Sequence, residues 1–88
     1  MRGYVKLKIL YFAQLRDLIG KSEEKLNLKS EISIKDLILL LKKKDAKYRN
    51  AFEKIGNLKF AINCEYTNLE GIVNDKDEVA FFPPVTGG

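Results

Sequence analysis

The residues of this chain that could do chemistry are its last two, Gly87 and Gly88. We expect a carboxylate at Gly88 that is an anion near neutral pH and a poor electrophile, because a terminal carboxyl group has a pKa of about 3.3 to 3.7. If a nucleotide triphosphate converted it into an acyl phosphate ester, a sulfur or amine nucleophile could attack its carbonyl carbon. Glycine has no side chain, so this end could enter a narrow channel. By itself, however, a Gly-Gly end is typical of an ordinary frayed terminus.

The run that precedes the two glycines gives the end of the chain a more specific meaning. The segment from Val79 to Phe82 is apolar and rich in β-branched and aromatic residues, which is typical of a strand. Pro83 and Pro84 lack backbone donors and fix φ, so we expect the strand to stop before them. Residues 83–88 could then extend about 20 Å, at about 3.3 Å per residue. The sequence predicts a flexible tail that can reach into a partner.

The composition excludes most kinds of catalytic site. The chain has no histidine and a single cysteine, Cys64, so a Ser-His-Asp arrangement, a Cys-His pair, a histidine-based metal site and a CxxC motif are all impossible. Its glycines do not form a phosphate-binding loop. We therefore expect a carrier, a partner or a scaffold without a metal site. We interpret Cys64 as a small buried hydrophobic residue rather than a reactive thiol.

Length and hydropathy predict one small soluble domain. A chain of 88 residues, 45% hydrophobic and 32% charged, can form a core without disulfides or metals. We find no long apolar run and no cleavable signal pattern, and one cysteine cannot form an internal disulfide. These features predict a cytoplasmic protein that does not bind a membrane.

Alternating apolar residues predict the strands that must position the tail. Val5, Leu7, Ile9 and Tyr11 alternate with lysines and predict a first strand with one buried face. Three further strands are predicted around Leu26 and Leu28, from Phe60 to Ile62, and from Val79 to Phe82. One more short strand is expected among Tyr66, Leu69, Ile72 and Val73.

Helical spacing and capping residues predict the helices. A short helix is expected at Ala13–Ile19, ended by Gly20. The clearest helix begins at Ser33, where Asp36 completes an approximate capping box. This helix has an apolar stripe at Ile34, Leu37, Ile38 and Leu41 and ends on Lys42, Lys43 and Lys44. We interpret the three lysines as a solvated helix end rather than a nucleic-acid patch. A further helical stretch is expected within Asp45–Lys54.

Two segments resemble the small-subunit family of molybdopterin synthase. The run from Asp77 to Gly88, DEVAFFPPVTGG, is similar to the C-terminus of that family, and the run from Leu10 to Gly20, LYFAQLRDLIG, is similar to its first strand and helix. The resemblance implies an α+β fold, the ubiquitin-like β-grasp, with a mixed sheet of about five strands and one main helix packed across it. It implies that the first and last strands are parallel neighbours. We therefore expect a β-grasp domain at 1–82 and the tail at 83–88.

The resemblance also implies a sulfur carrier of molybdenum cofactor biosynthesis. An activating enzyme would use ATP with Mg to adenylate Gly88, and a persulfide sulfur would displace AMP to leave a thiocarboxylate. The tail would then insert into the large subunit of molybdopterin synthase and donate its sulfur to cyclic pyranopterin monophosphate. The residues expected in that insertion are Pro83, Pro84, Val85, Thr86 and Gly87. The chain itself would bind no cofactor and would not be an enzyme alone, since the active site is expected on the large subunit of a heterotetramer.

The same resemblance places four residues where the family contacts partner proteins: Phe12, Arg16, Tyr66 and Phe82. Exposed aromatic side chains rimmed by charge are suited to such an interface. Tyr66 differs from the aliphatic residue expected at that position. The alternative for the two phenylalanines is simple core packing, and for Arg16 it is an exposed helical cation.

Other functions use the same activation chemistry or the same charge. A sulfur carrier for thiamin or for tRNA thiolation would also end in Gly-Gly. A ubiquitin-like modifier would be conjugated to lysines through Gly88 and would be found isopeptide-linked to other proteins. A nucleic-acid-binding protein is suggested only by the net charge of +4 and would lose affinity steeply with salt. Since the chain shows no stacking motif, we expect no nucleic-acid partner.

Overall fold

The structure, a computed structural model, describes residues 4–84. The elements in chain order are β1 (Val5–Tyr11), α1 (Ala13–Ile19), β2 (Glu23–Leu28), β3 (Ile32–Ser33), α2 (Ile34–Lys44), α3 (Ala46–Lys54), β4 (Lys59–Ile62), β5 (Glu65–Thr67), β6 (Ile72–Val73) and β7 (Glu78–Phe82). The elements therefore mix helices and strands along the chain, as the α+β prediction required.

Five strands form one mixed sheet in the order β2-β1-β7-β4-β5, and β3 pairs with β6 in a separate two-stranded ladder. The first strand and β7 are parallel, with Ile9 opposite Val79 and Tyr11 opposite Phe81. The other strand pairings found between residues 4 and 84 are antiparallel. The prediction that the first and last strands are parallel neighbours is confirmed. As a result, the last strand lies at the centre of the sheet, between β1 and β4.

One face of the sheet forms the core with the helices. Residues alternate in burial along β1 and β7, so that Ile9, Tyr11, Val79 and Phe81 are buried on the same side. The stripe predicted for α2 packs into this core, where Ile34, Leu37 and Leu41 are fully buried and Ile38 is partly buried. The opposite face of the sheet, which we call the outer face, carries the alternate residues of each strand.

The N-terminus of α2 is capped by the preceding residue, Ser33, and by the segment before β6. The Ser33 hydroxyl accepts a hydrogen bond of 3.1 Å from the Asp36 N–H, as the capping box predicted. The next backbone donors bind a neighbouring loop: the Ile34 N–H donates to the Gly71 carbonyl and the Lys35 N–H to the Leu69 carbonyl, each at 2.9 Å. The first N–H groups of the helix, which have no acceptor within the helix itself, are therefore hydrogen-bonded.

Two sequence predictions were wrong around the β4–β5 hairpin. Asn63 and Cys64 form its two-residue turn with φ of 50° and 70°, the left-handed pair that suits a tight hairpin. Cys64 is consequently exposed at the turn, not buried. The region after it contains two short strands, β5 and β6, rather than one, because its residues serve two different sheets.

Candidate functional site

The central strand ends where the candidate site begins. Neighbours hold β7 on both sides at this point: Phe82 lies opposite Lys59 of β4, and the Phe81 carbonyl accepts a hydrogen bond of 3.2 Å from the Phe12 N–H. Pro83 follows without a backbone donor, so the ladder cannot continue through its nitrogen. The sheet therefore anchors the chain up to the prolines. Four predicted site residues, Val85, Thr86, Gly87 and Gly88, lie outside the described residues.

Three of the residues expected to contact partners lie side by side at this end of β7. The centroids of the Phe82 and Phe12 rings are 6.4 Å apart, and the two rings are nearly perpendicular, at 82°. On its other side, the Phe82 ring has its centroid 5.8 Å from that of the Tyr66 ring. Both outer members are exposed, Phe12 by 44% and Tyr66 by 79%, while Phe82 is half-buried. We call Phe12, Phe82 and Tyr66 the aromatic surface.

The sheet register explains why Phe82 and Tyr66 share the outer face. Tyr66 lies opposite Ala61, which in turn lies opposite Ala80, and residues opposite each other point to the same side. Phe82 is two residues beyond Ala80 on the same strand and therefore points the same way. The two alanines have little bulk, so the larger side chains of Phe82 and Tyr66 stand out on this face.

Phe12 reaches the same surface from the end of β1. It is the N-terminal cap residue of α1, with extended backbone angles of φ −115° and ψ 152°. Its carbonyl accepts from the Leu15 N–H at 3.1 Å, which starts the helix. The core-packing alternative for Phe12 is excluded by its exposure.

Arg16 lies one helical turn after Phe12, on the exposed part of α1. None of the ion pairs between residues 4 and 84 includes it. Arg16 is thus an exposed cation of α1, four residues after Phe12 in the sequence.

A cluster around Glu24, on the core side of the sheet, was not predicted from the sequence. Oε2 of Glu24 accepts hydrogen bonds from the hydroxyls of Tyr11 at 2.5 Å and Tyr48 at 2.6 Å. Its other oxygen, Oε1, lies 3.4 Å from the ammonium groups of both Lys21 and Lys44. The sequence did contain a sign of this cluster. Glu24, Leu26 and Leu28 are alternate residues of one strand, so their side chains lie on the same face.

The electrostatics of this cluster follow from its contacts. Burial alone would raise the pKa of Glu24, but the hydrogen bonds from Tyr11 and Tyr48 and the charges of Lys44 and Lys21 outweigh it and lower the pKa to about 2. Burial and the neighbouring carboxylate raise the pKa of both tyrosine hydroxyls. Glu24 is therefore ionised and both tyrosines are neutral donors at neutral pH. The cluster joins β2 to the end of β1 and to α3.

The described part of the chain offers neither a membrane span nor a metal cluster. Between residues 4 and 84 no helix is long and apolar enough to cross a membrane. In the same range no three side chains of histidine, cysteine, aspartate or glutamate come together as a group that could hold a metal ion.

Comparison of the sequence with known proteins gives consistent matches. The family model described as the ThiS family matches residues 9–88. A curated relative from Haemophilus influenzae, named molybdopterin synthase sulfur carrier subunit, is 42% identical over 83 residues, which cover 93% of this chain and 99% of the relative.

Solved structures share the fold over nearly the whole chain. A putative molybdopterin converting factor subunit 1 from Pyrococcus furiosus superposes with a TM-score of 0.77 at 31% identity, covering 92% of this chain and 99% of the other. The small archaeal modifier protein 1 of Methanosarcina acetivorans gives a TM-score of 0.73 at 27% identity, covering 97% and 98%. A complex of subunits 1 and 2 of the molybdopterin-converting factor from Helicobacter pylori gives a TM-score of 0.64 at 21% identity, covering 96% and 100%, and at that identity it shows the fold alone.

Proposed function

The chain belongs to the ThiS family, and on that basis we propose that it is the sulfur carrier subunit of a molybdopterin synthase. The observation that carries the proposal is the 42% identity, over nearly the full length of both chains, to a relative with that name. The geometry supports it: β7 is central and well paired, and an exposed aromatic surface surrounds the point where the segment leading to Gly88 leaves the sheet.

The proposed chemistry takes place on the carboxylate of Gly88. An activating enzyme uses ATP with Mg to form the acyl adenylate and release pyrophosphate. A persulfide of the sulfur donor then attacks the acyl carbon, a carbon–sulfur bond forms, and AMP leaves with the electrons of the broken carbon–oxygen bond. A second thiol of the donor cleaves the sulfur–sulfur bond and becomes part of a disulfide, which leaves the thiocarboxylate on Gly88.

Delivery of the sulfur requires a partner with a channel. In this proposal the segment Pro83–Gly88 enters the large subunit and brings the thiocarboxylate to cyclic pyranopterin monophosphate. The sulfur forms a bond to the substrate, and water then attacks the acyl carbon and cleaves the acyl–sulfur bond, so that Gly88 returns to a carboxylate. The chain contributes the anchored β7 and the aromatic surface, which fix where the segment starts relative to the large subunit. A stable interface is expected to have such aromatic anchors near its centre. The proposal places these steps in the cytoplasm.

A reconstituted transfer reaction tests the proposal. Thiocarboxylated chain, large subunit and cyclic pyranopterin monophosphate should together yield the dithiolene product, and a chain lacking Gly88 should yield none. Retained product formation without Gly88 would refute the mechanism. Thermal unfolding of the shortened chain is the control, and we expect it to be unchanged because the contacts of the described core involve residues before 84.

A second function, protein modification, is favoured by one observation. The similar structure from Methanosarcina acetivorans is named a modifier protein, and a modifier would use the same acyl adenylate at Gly88 to acylate lysines. Isopeptide-linked conjugates of this chain in its own cells, absent when Gly88 is deleted, would distinguish modification from sulfur transfer.

A further inference from the structure

A groove lies beside Phe82, on the β4–β5 side of the aromatic surface. It has a volume of about 380 Å³ and is lined by Lys59, Phe60, Tyr66, Thr67 and Phe82. Its position follows from the register: Lys59 is directly opposite Phe82, and Tyr66 is opposite Ala61, two residues further along β4. The groove is therefore continuous with the surface that surrounds the start of the segment leading to Gly88.

Among the described residues that line the groove, one is charged, and it is a cation. Lys59 is exposed, and within residues 4–84 no carboxylate lines the groove. The ion pairs within residues 4–84 use other lysines, such as Lys8 and Lys44, and none includes Lys59. A lysine that lines an aromatic groove and has no acidic partner in the described part of its own chain is available to an anionic group from outside.

We propose that Lys59 pairs with a carboxylate of the large subunit, and that the apolar part of the groove receives a side chain next to that carboxylate. This inference rests on the proposed function. A positive charge at the rim of an apolar contact guides the two proteins into the correct encounter and disfavours partners that present a cation there. The lining favours a protein over a nucleic acid, because a phosphate backbone is bound by a row of cations and the described lining of this groove has one.

Measured binding to the large subunit from the same cell tests the pairing. We expect Lys59→Glu to weaken the complex about tenfold or more at low salt, mainly through slower association, and Lys59→Gln to weaken it less. The difference from wild type should shrink at high salt, since exposed pairs are screened. The matched control is Lys35→Glu, which makes the same charge change at an exposed position in the first turn of α2 and should change affinity less than twofold.

The outcomes separate this inference from the proposed function. If the wild-type chain binds the large subunit and Lys59→Glu binds equally well, the pairing is wrong and the sulfur-carrier function stands. Equal weakening by Lys59→Glu and Lys35→Glu would also overturn the pairing, because it would show only general attraction between charged proteins. If the wild-type chain neither binds the large subunit nor accepts sulfur, the proposed function fails and the pairing fails with it. Binding of RNA through Lys59 in place of the large subunit would likewise contradict it.

Discussion

The hydroxyl of Tyr11 in β1 donates a hydrogen bond of 2.5 Å to Oε2 of Glu24 in the paired strand β2. Tyr11 is the last residue of β1 and immediately precedes Phe12, and its ring stacks on Phe81 with centroids 6.2 Å apart. The same carboxylate oxygen accepts a hydrogen bond of 2.6 Å from the hydroxyl of Tyr48 in α3. A partly buried polar cluster thus fixes the strand end from which the aromatic surface begins.

Replacing Glu24 should destabilise the fold. Glu24→Gln removes the charge that two tyrosines and two lysines share, and hydrogen bonds to a charged group contribute about 1.5 to 3 kcal/mol. We expect a loss of about 2 kcal/mol in the free energy of unfolding, measured by urea denaturation. The control is the adjacent Glu23→Gln, whose side chain is 53% exposed and whose ion pair with Lys8 is 3.6 Å; it should cost less than about 0.5 kcal/mol. Equal losses for the two variants would contradict this account.

The contribution of Glu24 should also depend on pH. Its pKa is about 2 in the folded chain against an ordinary value of 4.5, so the folded state favours the ionised form. The resulting stability is fully present above about pH 4.5 and is lost as the pH falls toward 2. Unfolding free energies of wild type and Glu24→Gln should therefore converge over that interval. A gap between them that stays constant from pH 6 to about pH 2.5 would show that the carboxylate charge is not responsible.

Gly71 should not tolerate a side chain. A Cβ at this position would collide with Oγ1 of Thr67, and the Gly71 carbonyl accepts the first free N–H of α2, so the backbone has little freedom to move. We expect Gly71→Ala to destabilise the protein by about 1 to 3 kcal/mol. Gly56→Ala is the matched control, because a Cβ there meets nothing within 4 Å. A thermal melt in which both variants unfold at the same temperature would rule out the collision.

Tyr66 should contribute to binding and little to stability. Its side chain is 79% exposed and contacts the Phe82 ring from the outer face. We expect Tyr66→Ala to weaken binding to the large subunit about tenfold, in the range of an aromatic contact residue, and to leave the thermal midpoint nearly unchanged. The control is Tyr4→Ala, which removes another exposed tyrosine. Tyr4 is 65% exposed and precedes β1, at the end of that strand opposite to Phe12. Calorimetric titration should show full affinity for the Tyr4 variant, and equal effects of the two would contradict the assigned surface.

Much of the fold could be predicted from local patterns. The alternation in β1 and β7 and the capping box at Ser33 follow from short-range rules, and each is found in the structure. The parallel pairing of β1 with β7 could not be read from spacing, because the two strands are far apart in sequence. It was predicted from the family resemblance.

The parts that were missed depend on contacts between distant residues. Alternation with Leu26 and Leu28 puts Glu24 on the core side of β2, but its partners Tyr11 and Tyr48 depend on the pairing of β2 with β1 and on the packing of α3. Cys64 was placed in the core by its residue type, yet the hairpin turn exposes it. Burial follows from the position of a residue in the assembled sheet, which short-range patterns do not contain.

The aromatic surface shows the same limit for the site. Phe12, Tyr66 and Phe82 come from three separate elements, and their grouping was expected only through the resemblance. The structure brings all three together and leaves Arg16 on the exposed part of α1. The roles of these residues toward a partner stay predictions, as do those of the segment from Val85 to Gly88.

The central claim, that Gly88 carries sulfur, is tested most directly by the intact mass of this chain after incubation with ATP, Mg, a persulfide donor and the activating enzyme from the same cell. The account predicts a mass increase equal to the replacement of one oxygen by one sulfur, dependent on ATP and absent from a chain that lacks Gly88. An unchanged mass in the complete reaction, or lysine-linked conjugates in place of the thiocarboxylate, would contradict it.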